Sequence, residues 1–383
     1  MHVPIEGLAF LAYLDSLFVE GSARQVAPLR EPPDTLNRLH AQAMREHARE
    51  RALLAWADGA WSAMPDWRLD RQIIRLALYL SERLDVEAGQ RIAIVSELRP
   101  EWLVADLAAL GLGAVSVAID PRAEADELAA ALSDAAPSVT FMSTAARERL
   151  ESLDGRAPAY GQPVAIDAVA AREGTVPLQA MLELGGTLDT PERAQAYRAA
   201  ARALPAERPA IRHYRRSPKG GCDRIDLTQG QVIERITAIW RADPAHPGDV
   251  AYVSDPAASL TARLALYACL GDGYTTTALG PAEGDAGHLA ELRPARVVAP
   301  ARLLATAARD AGRSADVERA HAERKPRRGW LGRAARRAPP LESGSGLRET
   351  LGNRVRWIAS TDPLDTALAA RLAAVAALAP QLS

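Results

Sequence analysis

The densest concentration of potential chemistry in this 383-residue chain is a short cationic stretch, Ile211-Arg-His-Tyr-Arg-Arg-Ser-Pro-Lys-Gly220. Guanidinium groups such as those of Arg212, Arg215 and Arg216 match phosphate and carboxylate oxygens bidentately. The cluster therefore reads either as an anion site or as a solvated basic loop. Cys222 lies close to Lys219, and a neighbouring positive charge lowers a thiol pKa. No general base is identifiable beside it, and no catalytic residue is assigned. The seven histidines, His2, His40, His47, His213, His246, His288 and His321, are scattered without ligand spacing to cysteine or acidic partners, so no metal site is expected. A dinucleotide fingerprint is absent, because Gly111 and Gly113 precede a strand where that fingerprint requires them to follow one. A second basic run, Arg319 to Arg337, holds eight Lys or Arg against one Glu, with Trp330 and Leu331 among the charges. It reads either as an exposed loop or as a contact with an anionic membrane surface, where each basic residue is worth about 1 kcal/mol. Pro326 and Gly329 interrupt any amphipathic helix there.

Composition bounds what these groups can serve. With 48% hydrophobic and 25% charged residues, the chain is globular and long enough for two or three packed units. Its 46 basic and 48 acidic residues leave a net charge of −2, which gives no reason to expect a nucleic-acid partner. Two cysteines, Cys222 and Cys269, exclude a disulfide framework and a four-cysteine zinc site, and a reducing cytosol fits best. The apolar stretch Ile5 to Val19 carries Glu6 and Asp15 and lacks a basic leader, so neither a signal peptide nor a membrane span is expected. The expected location is the cytoplasm, with the basic run as a route to peripheral contact on the inner face of the membrane.

The elements that must position these groups follow from periodicity. Asp34 to about Ala55 predicts a helix with Leu36, Leu39, Ala43 and His47 on one side, and Leu69 to Leu84 predicts a second. Arg91 to Val95, Pro100 to Leu110, Ala114 to Ile119, Glu124 to Ala135 and Ser138 to Met142 then read as β-α-β-α-β, with parallel pairing implied by the crossover lengths. Ala145 to Pro209 is less regular, with one short strand near Val164. The alternation returns with strands at Val250 to Val253, Tyr274 to Ala278 and Arg296 to Ala299, interleaved with helices at Leu260 to Leu270, Asp285 to Leu292 and Arg302 to Ala311. A terminal strand, Val355 to Ala359, precedes a helix from Leu364 to Ala379. The expectation is an α/β protein of two tandem doubly wound halves. Its divisions are an N-terminal extension over 1–33, a first half over 34–210 and a second half over 211–318. A basic, Gly/Pro-rich insertion over 319–346 and a terminal strand and helix over 347–383 complete it.

Arg91-Ile-Ala-Ile-Val-Ser-Glu-Leu-Arg-Pro-Glu-Trp102, Ala105-Asp-Leu-Ala-Ala109, Gly113-Ala-Val115 and Ile119-Asp-Pro121 together resemble the AMP-dependent synthetase/ligase, or adenylate-forming, family. Pro218-Lys-Gly220, Leu227-Thr228, Pro247-Gly-Asp-Val250, Leu292-Arg-Pro294, Pro300-Ala-Arg302 and Arg354-Val-Arg356 agree in order. The basic, Trp-containing run looks like the long-chain acyl-CoA synthetase branch. The resemblance implies the family's large N-terminal domain, with ATP and magnesium as cofactors and coenzyme A as the acceptor thiol. It also implies a phosphate cradle before Pro-Lys-Gly, where small residues let backbone N–H groups approach the phosphates. Here Arg212, His213, Tyr214, Arg215 and Arg216 fill those positions. The residual cradle would be Ser217, Lys219 and Gly220 with Arg212, Arg215 and Arg216; Lys219 reads either as a phosphate contact or as a solvated turn residue. Ser360-Thr-Asp-Pro363 stands where the family packs adenine, and Ser259 stands where it has a histidine. The sequence ends before the family's Tyr-Gly-x-Thr-Glu motif and its C-terminal cap domain, which leaves coenzyme A without an expected site and ATP and magnesium in doubt. The expectation is a pseudoenzyme related to fatty acid metabolism that binds a fatty acid or acyl group, a membrane surface or an active ligase paralogue. The alternative is an active carboxylic-acid ligase with rerouted phosphate contacts or a partner chain.

Overall fold

Mostly apolar runs such as Arg91–Val95, Val115–Ile119 and Val139–Met142 are buried nearly end to end, as parallel strands covered by helices on both faces must be. The computed structural model describes residues 33–153, 158–167, 174–216, 222–254, 258–281, 284–324 and 343–378. In chain order the elements begin with α1 (Leu36–His47), β1 (Leu53–Ala57), β2 (Ala60–Met64) and α2 (Asp66–Arg83). Then come β3 (Arg91–Val95), α3 (Pro100–Gly111), β4 (Val115–Ile119), α4 (Ala125–Ala135), β5 (Val139–Met142), α5 (Thr144–Glu151), β6 (Gln162–Ala165) and β7 (Val176–Pro177). After α6 (Leu178–Leu188) and α7 (Pro191–Ala203), β8 (Pro209–Arg216) and β9 (Cys222–Thr228) form a hairpin. The remainder is α8 (Gln229–Ala242), β10 (Val250–Ser254), α9 (Leu260–Gly271), β11 (Thr276–Gly280), α10 (Ala286–Leu292), β12 (Arg296–Ala299), α11 (Ala301–Arg324), α12 (Ser343–Thr350), β13 (Trp357–Ser360), α13 (Thr366–Ala373) and β14 (Ala377–Leu378).

Two seven-stranded sheets result, and they share one plan. The first runs β7-β6-β5-β3-β4-β8-β9 and the second β14-β13-β12-β10-β11-β1-β2. In each, the pairs are parallel until a final antiparallel hairpin closes one edge. The doubly wound α/β architecture is as the alternation predicts. Sheet membership, however, crosses the expected division at 210/211. Hairpin β8–β9 completes the first sheet, and the second takes its hairpin, β1–β2, from the start of the chain.

That early hairpin corrects the expected helix from Asp34 to Ala55. Alanines continue the helical spacing beyond His47, but Ala48 adopts a left-handed conformation (φ 38°) and the chain leaves the helix. Arg49 then donates to Asp66 and to the carbonyls of Leu270 and Thr275 at 3.0 and 2.8 Å, near the end of α9. A cation at a helix C-terminus is favourable, and this anchor directs Leu53 and Leu54 into the second sheet. At the other end, α11 runs on to Arg324 with nothing crowding Gly312. The basic run thus begins within a helix, and its residues 325–337 lie outside the described set, as does most of the expected extension over 1–33. The C-terminal helix is shorter than expected, and Ala377–Leu378 pair with β13 as a strand. No described helix is long and apolar enough to cross a membrane.

The two halves meet where α3 packs near α9, whose residues Leu260 to Leu270 are all buried. At this junction Asp106 of α3 accepts from the Arg263 guanidinium, from the Tyr267 hydroxyl and, at 2.6 Å, from the Ser116 hydroxyl. The Arg263 guanidinium carbon also lies 5.6 Å from the Trp102 ring centroid, close enough for a cation–π contact. Removing one member of a buried ion pair strands the other charge and costs about 3–5 kcal/mol. Arg263→Met should therefore lower unfolding stability in urea by that order, whereas pairing it with Asp106→Leu should restore much of the loss. Equal stability of the single variant and the parent would contradict this role.

Candidate functional site

In open α/β sheets, ligands bind beyond the carboxyl ends of parallel strands, and β8 ends at Arg216, just before Ser217, Lys219 and Gly220 in the sequence. Alternation along β8 sends its side chains to two faces. Ile211 belongs to the main core, and His213 shares its face toward the start of α9. Arg212 and Tyr214 face α4 instead. Arg212 donates to both carboxylate oxygens of Asp226 on β9, at 2.9 and 3.1 Å. Tyr214 donates to Asp134 at 2.7 Å, and Arg224 reaches the same carboxylate at 3.2 Å. Arg215 lies 3.6 Å from Asp223 across the hairpin. The stretch read as a basic loop is thus a strand through Arg216, and its cations are interleaved with carboxylates from β9 and α4. The Tyr214 hydrogen bond, with Arg224 and Arg212, holds the Asp134 carboxyl below its usual range despite some desolvation.

The other expected positions are distributed along the same strand ends. Ser217, Lys219 and Gly220 lie outside the described residues, as does the side chain of Arg216. Ser259 is the N-cap of α9 and accepts from the Ala262 amide at 3.5 Å. The Ser360 to Pro363 segment closes on the protein itself. Asp362 accepts from the Ala301 amide at the start of α11 at 3.1 Å, and Thr361 donates its amide to the Ala299 carbonyl at 3.2 Å. Cys269 is buried away from the hairpin, and burial pushes its thiol up to about 12. Among the described residues, no group of three His, Cys, Asp or Glu side chains is placed to hold a metal ion.

His213 carries the electrostatic character of the site beyond its bulk. Burial first, and then the Arg263 charge, depress its imidazole to about 4. The signal was present in the strand alternation, which puts position 213 on the face of Ile211; what the sequence did not reveal is that Arg263, fifty residues on, lies against that face. With neutral His213, Asp226-held Arg212 and Asp134-held Tyr214 in place, the described hairpin residues do not fit a triphosphate cradle. Such a cradle needs open backbone amides and uncompensated cations.

Residues 42–209 match the family of AMP-binding enzymes. The long-chain-fatty-acid–CoA ligase FadD15 of Mycobacterium bovis is 28% identical over 250 residues, covering 64% of this chain and 40% of the relative. The chain thus spans about 40% of the length of that curated relative. Among solved structures, the A domain of the carboxylic acid reductase from Segniliparus rugosus superposes with a TM-score of 0.64 at 17% identity, covering 98% of this chain and 66% of that one. The N-terminal domain of FACL13 from Mycobacterium tuberculosis gives 0.60 at 16% identity, covering 89% and 73%. These structural likenesses establish the fold, and the sequence matches fit the adenylate-forming superfamily.

The lowered His213 pKa has a definite sign. An unfolded chain binds the proton near pH 6.5 and the folded chain only near pH 4, so acidification through this window favours unfolding. His213→Gln should flatten the loss of stability between pH 7 and pH 5, as measured by denaturant unfolding at each pH. Parallel pH dependences for the two proteins would refute the assignment.

Proposed function

We propose that this chain, which fits the adenylate-forming superfamily through its AMP-binding match over residues 42–209, is a fatty acid–CoA ligase-like protein that does not cradle ATP and serves as an acyl-binding domain. The observation that carries the reading is the bidentate Arg212–Asp226 pair, with Tyr214 and Arg224 on Asp134. Stabilising the charge on a departing pyrophosphate requires preorganised donors aimed at open space. Here the nearest described cations already have carboxylate partners within the hairpin, and Tyr214 and His213 fill space that small residues would leave free. The acyl part of the reading is supported by the similarity to a long-chain-fatty-acid–CoA ligase. The neighbour from Segniliparus rugosus is described in complex with AMP and a co-purified carboxylic acid, a ligand class this proposal extends to the present chain without the nucleotide. The competing reading, an active ligase with rerouted contacts, assigns phosphate binding to Lys219 with Arg212, Arg215 and Arg216.

Calorimetry separates the two. Titration with magnesium-ATP should give no saturable heat into the millimolar range, Lys219→Ala should behave as the parent, and a long-chain fatty acid should still bind. Micromolar ATP affinity that Lys219→Ala reduces at least tenfold, or fatty-acid-dependent exchange of pyrophosphate into ATP, would replace this reading with the active ligase.

A further inference from the structure

Outside the hairpin, α1, α2, the end of α3 and α7 surround a cavity of about 360 Å³. That volume lies within the range of small-molecule sites. Its walls are held by cross-links between helices. Asn37 of α1 donates its side-chain amide to the Leu110 carbonyl of α3 at 2.9 Å, and Arg38 donates to the Arg202 carbonyl of α7 at 2.7 Å. Met44, Ile73 and Leu107 supply apolar lining.

Polar groups converge on the same space. His40 is among the lining residues, and its Nε2 atom is shielded from solvent and without a hydrogen-bond partner; burial lowers the pKa of the imidazole despite the opposing fields of Asp70 and Asp66. A neutral ring keeps one nitrogen able to donate. The Tyr197 hydroxyl is fitted against the α3 backbone where Gly111 leaves room; a Cβ there would stand 1.8 Å from the phenol oxygen. Burial, then Asp70, raises the pKa of that phenol, which stays a donor at neutral pH. Of the charged lining groups, Asp70 is paired with Arg198 at 2.6 Å, whereas none of the ion pairs among the described residues involves Arg202. The lining therefore sums to one uncompensated positive charge beside neutral donors and an apolar wall.

We propose that this cavity binds an amphipathic monocarboxylate, with its apolar body against Met44, Ile73 and Leu107 and its carboxylate against Arg202, assisted by Tyr197 and His40. A single negative charge offsets Arg202, and the carboxylate oxygens accept from the two neutral donors. Burying a carboxylate without such partners is prohibitively costly. The apolar side accommodates a short chain or an aromatic ring. The site is separate from the hairpin, and it requires neither ATP binding nor its loss.

Octanoate titrated calorimetrically into the full chain, without nucleotide, tests the assignment. Octanoate should bind at one site, with octanol and octylamine at least tenfold weaker. Arg202→Gln, a change at the cavity rim, should weaken octanoate at least tenfold while leaving octanol unaffected, and Arg202→Lys should recover part of the loss. Met44→Trp should block octanoate by filling the apolar side, and Gly111→Ala should weaken it by displacing Tyr197. Thermal unfolding of each variant verifies that it remains folded. No octanoate binding overturns the proposal, as does octylamine binding as tightly as octanoate. Octanoate binding unchanged by Arg202→Gln and by a folded Met44→Trp would place the acid elsewhere and overturn it equally.

Discussion

A carboxylate at the centre of a protein of this size must be fully satisfied or neutralised, and Asp106 meets that condition with three donors drawn from both sides of the molecule. Ser116 comes from the first sheet, whereas Arg263 and Tyr267 come from the helix that belongs to the second. This arrangement fixes the rotation and depth of α9 against α3, because a shift that broke one contact would strand a charge in the core. The same guanidinium acts on a second group. It lies close enough to His213 to add to the effect of burial in lowering its pKa, so the charge that joins the halves also helps keep that imidazole neutral. Structural coupling and the state of His213 thus share one residue.

The pseudo-repeat of the two sheets explains why the cationic stretch lies where it does. Both sheets close with an antiparallel hairpin on the same relative edge. In the second, β1–β2 is short and carries Trp56 and Trp61, whose ring centroids lie 5.3 Å apart and pack near His288. In the first, β8–β9 is longer, with arginines of β8 set opposite aspartates of β9. Opposite charges across antiparallel strands stabilise the pairing; Arg215 pairs with Asp223 within the hairpin, and the role visible for Arg212 and Arg224 is to hold this hairpin on α4. Exposed pairs of this kind contribute modestly to stability, so their consequence is chiefly geometric: the guanidinium groups point at neighbours and not into open space.

Much of the architecture was legible because parallel strands covered on both faces are largely apolar, and residues 92–95, 115–119 and 297–299 stand out for that reason. The helix at Leu260 to Gly271 was equally plain. What periodicity could not resolve was the stretch from Ala48 to Ala57, where alanine continues a helical pattern without committing to one. The hairpin at Pro209 to Thr228 was hidden for a different reason. Its first strand carries three arginines and no aspartate, which reads as a solvated basic loop until the partner strand with Asp223 and Asp226 is known. At the site, the bulk of Arg212 to Arg216 was visible in one dimension. The partners Asp134, Asp226 and Arg263 were not, since they come from 14 to 80 residues away, or fifty for His213 and Arg263. The cavity around His40 gave no linear signal at all, because its polar members are spread over three helices.

The most direct test of the closed hairpin is the side-chain Nε–H resonance of Arg212 in a two-dimensional nitrogen–proton spectrum, recorded while magnesium-ATP and then pyrophosphate are added. A guanidinium held on both oxygens of Asp226 should show a protected signal that neither anion moves. A saturable shift of that signal, accompanied by faster solvent exchange as Asp226 releases it, would show that the hairpin opens to receive phosphate and would contradict the account.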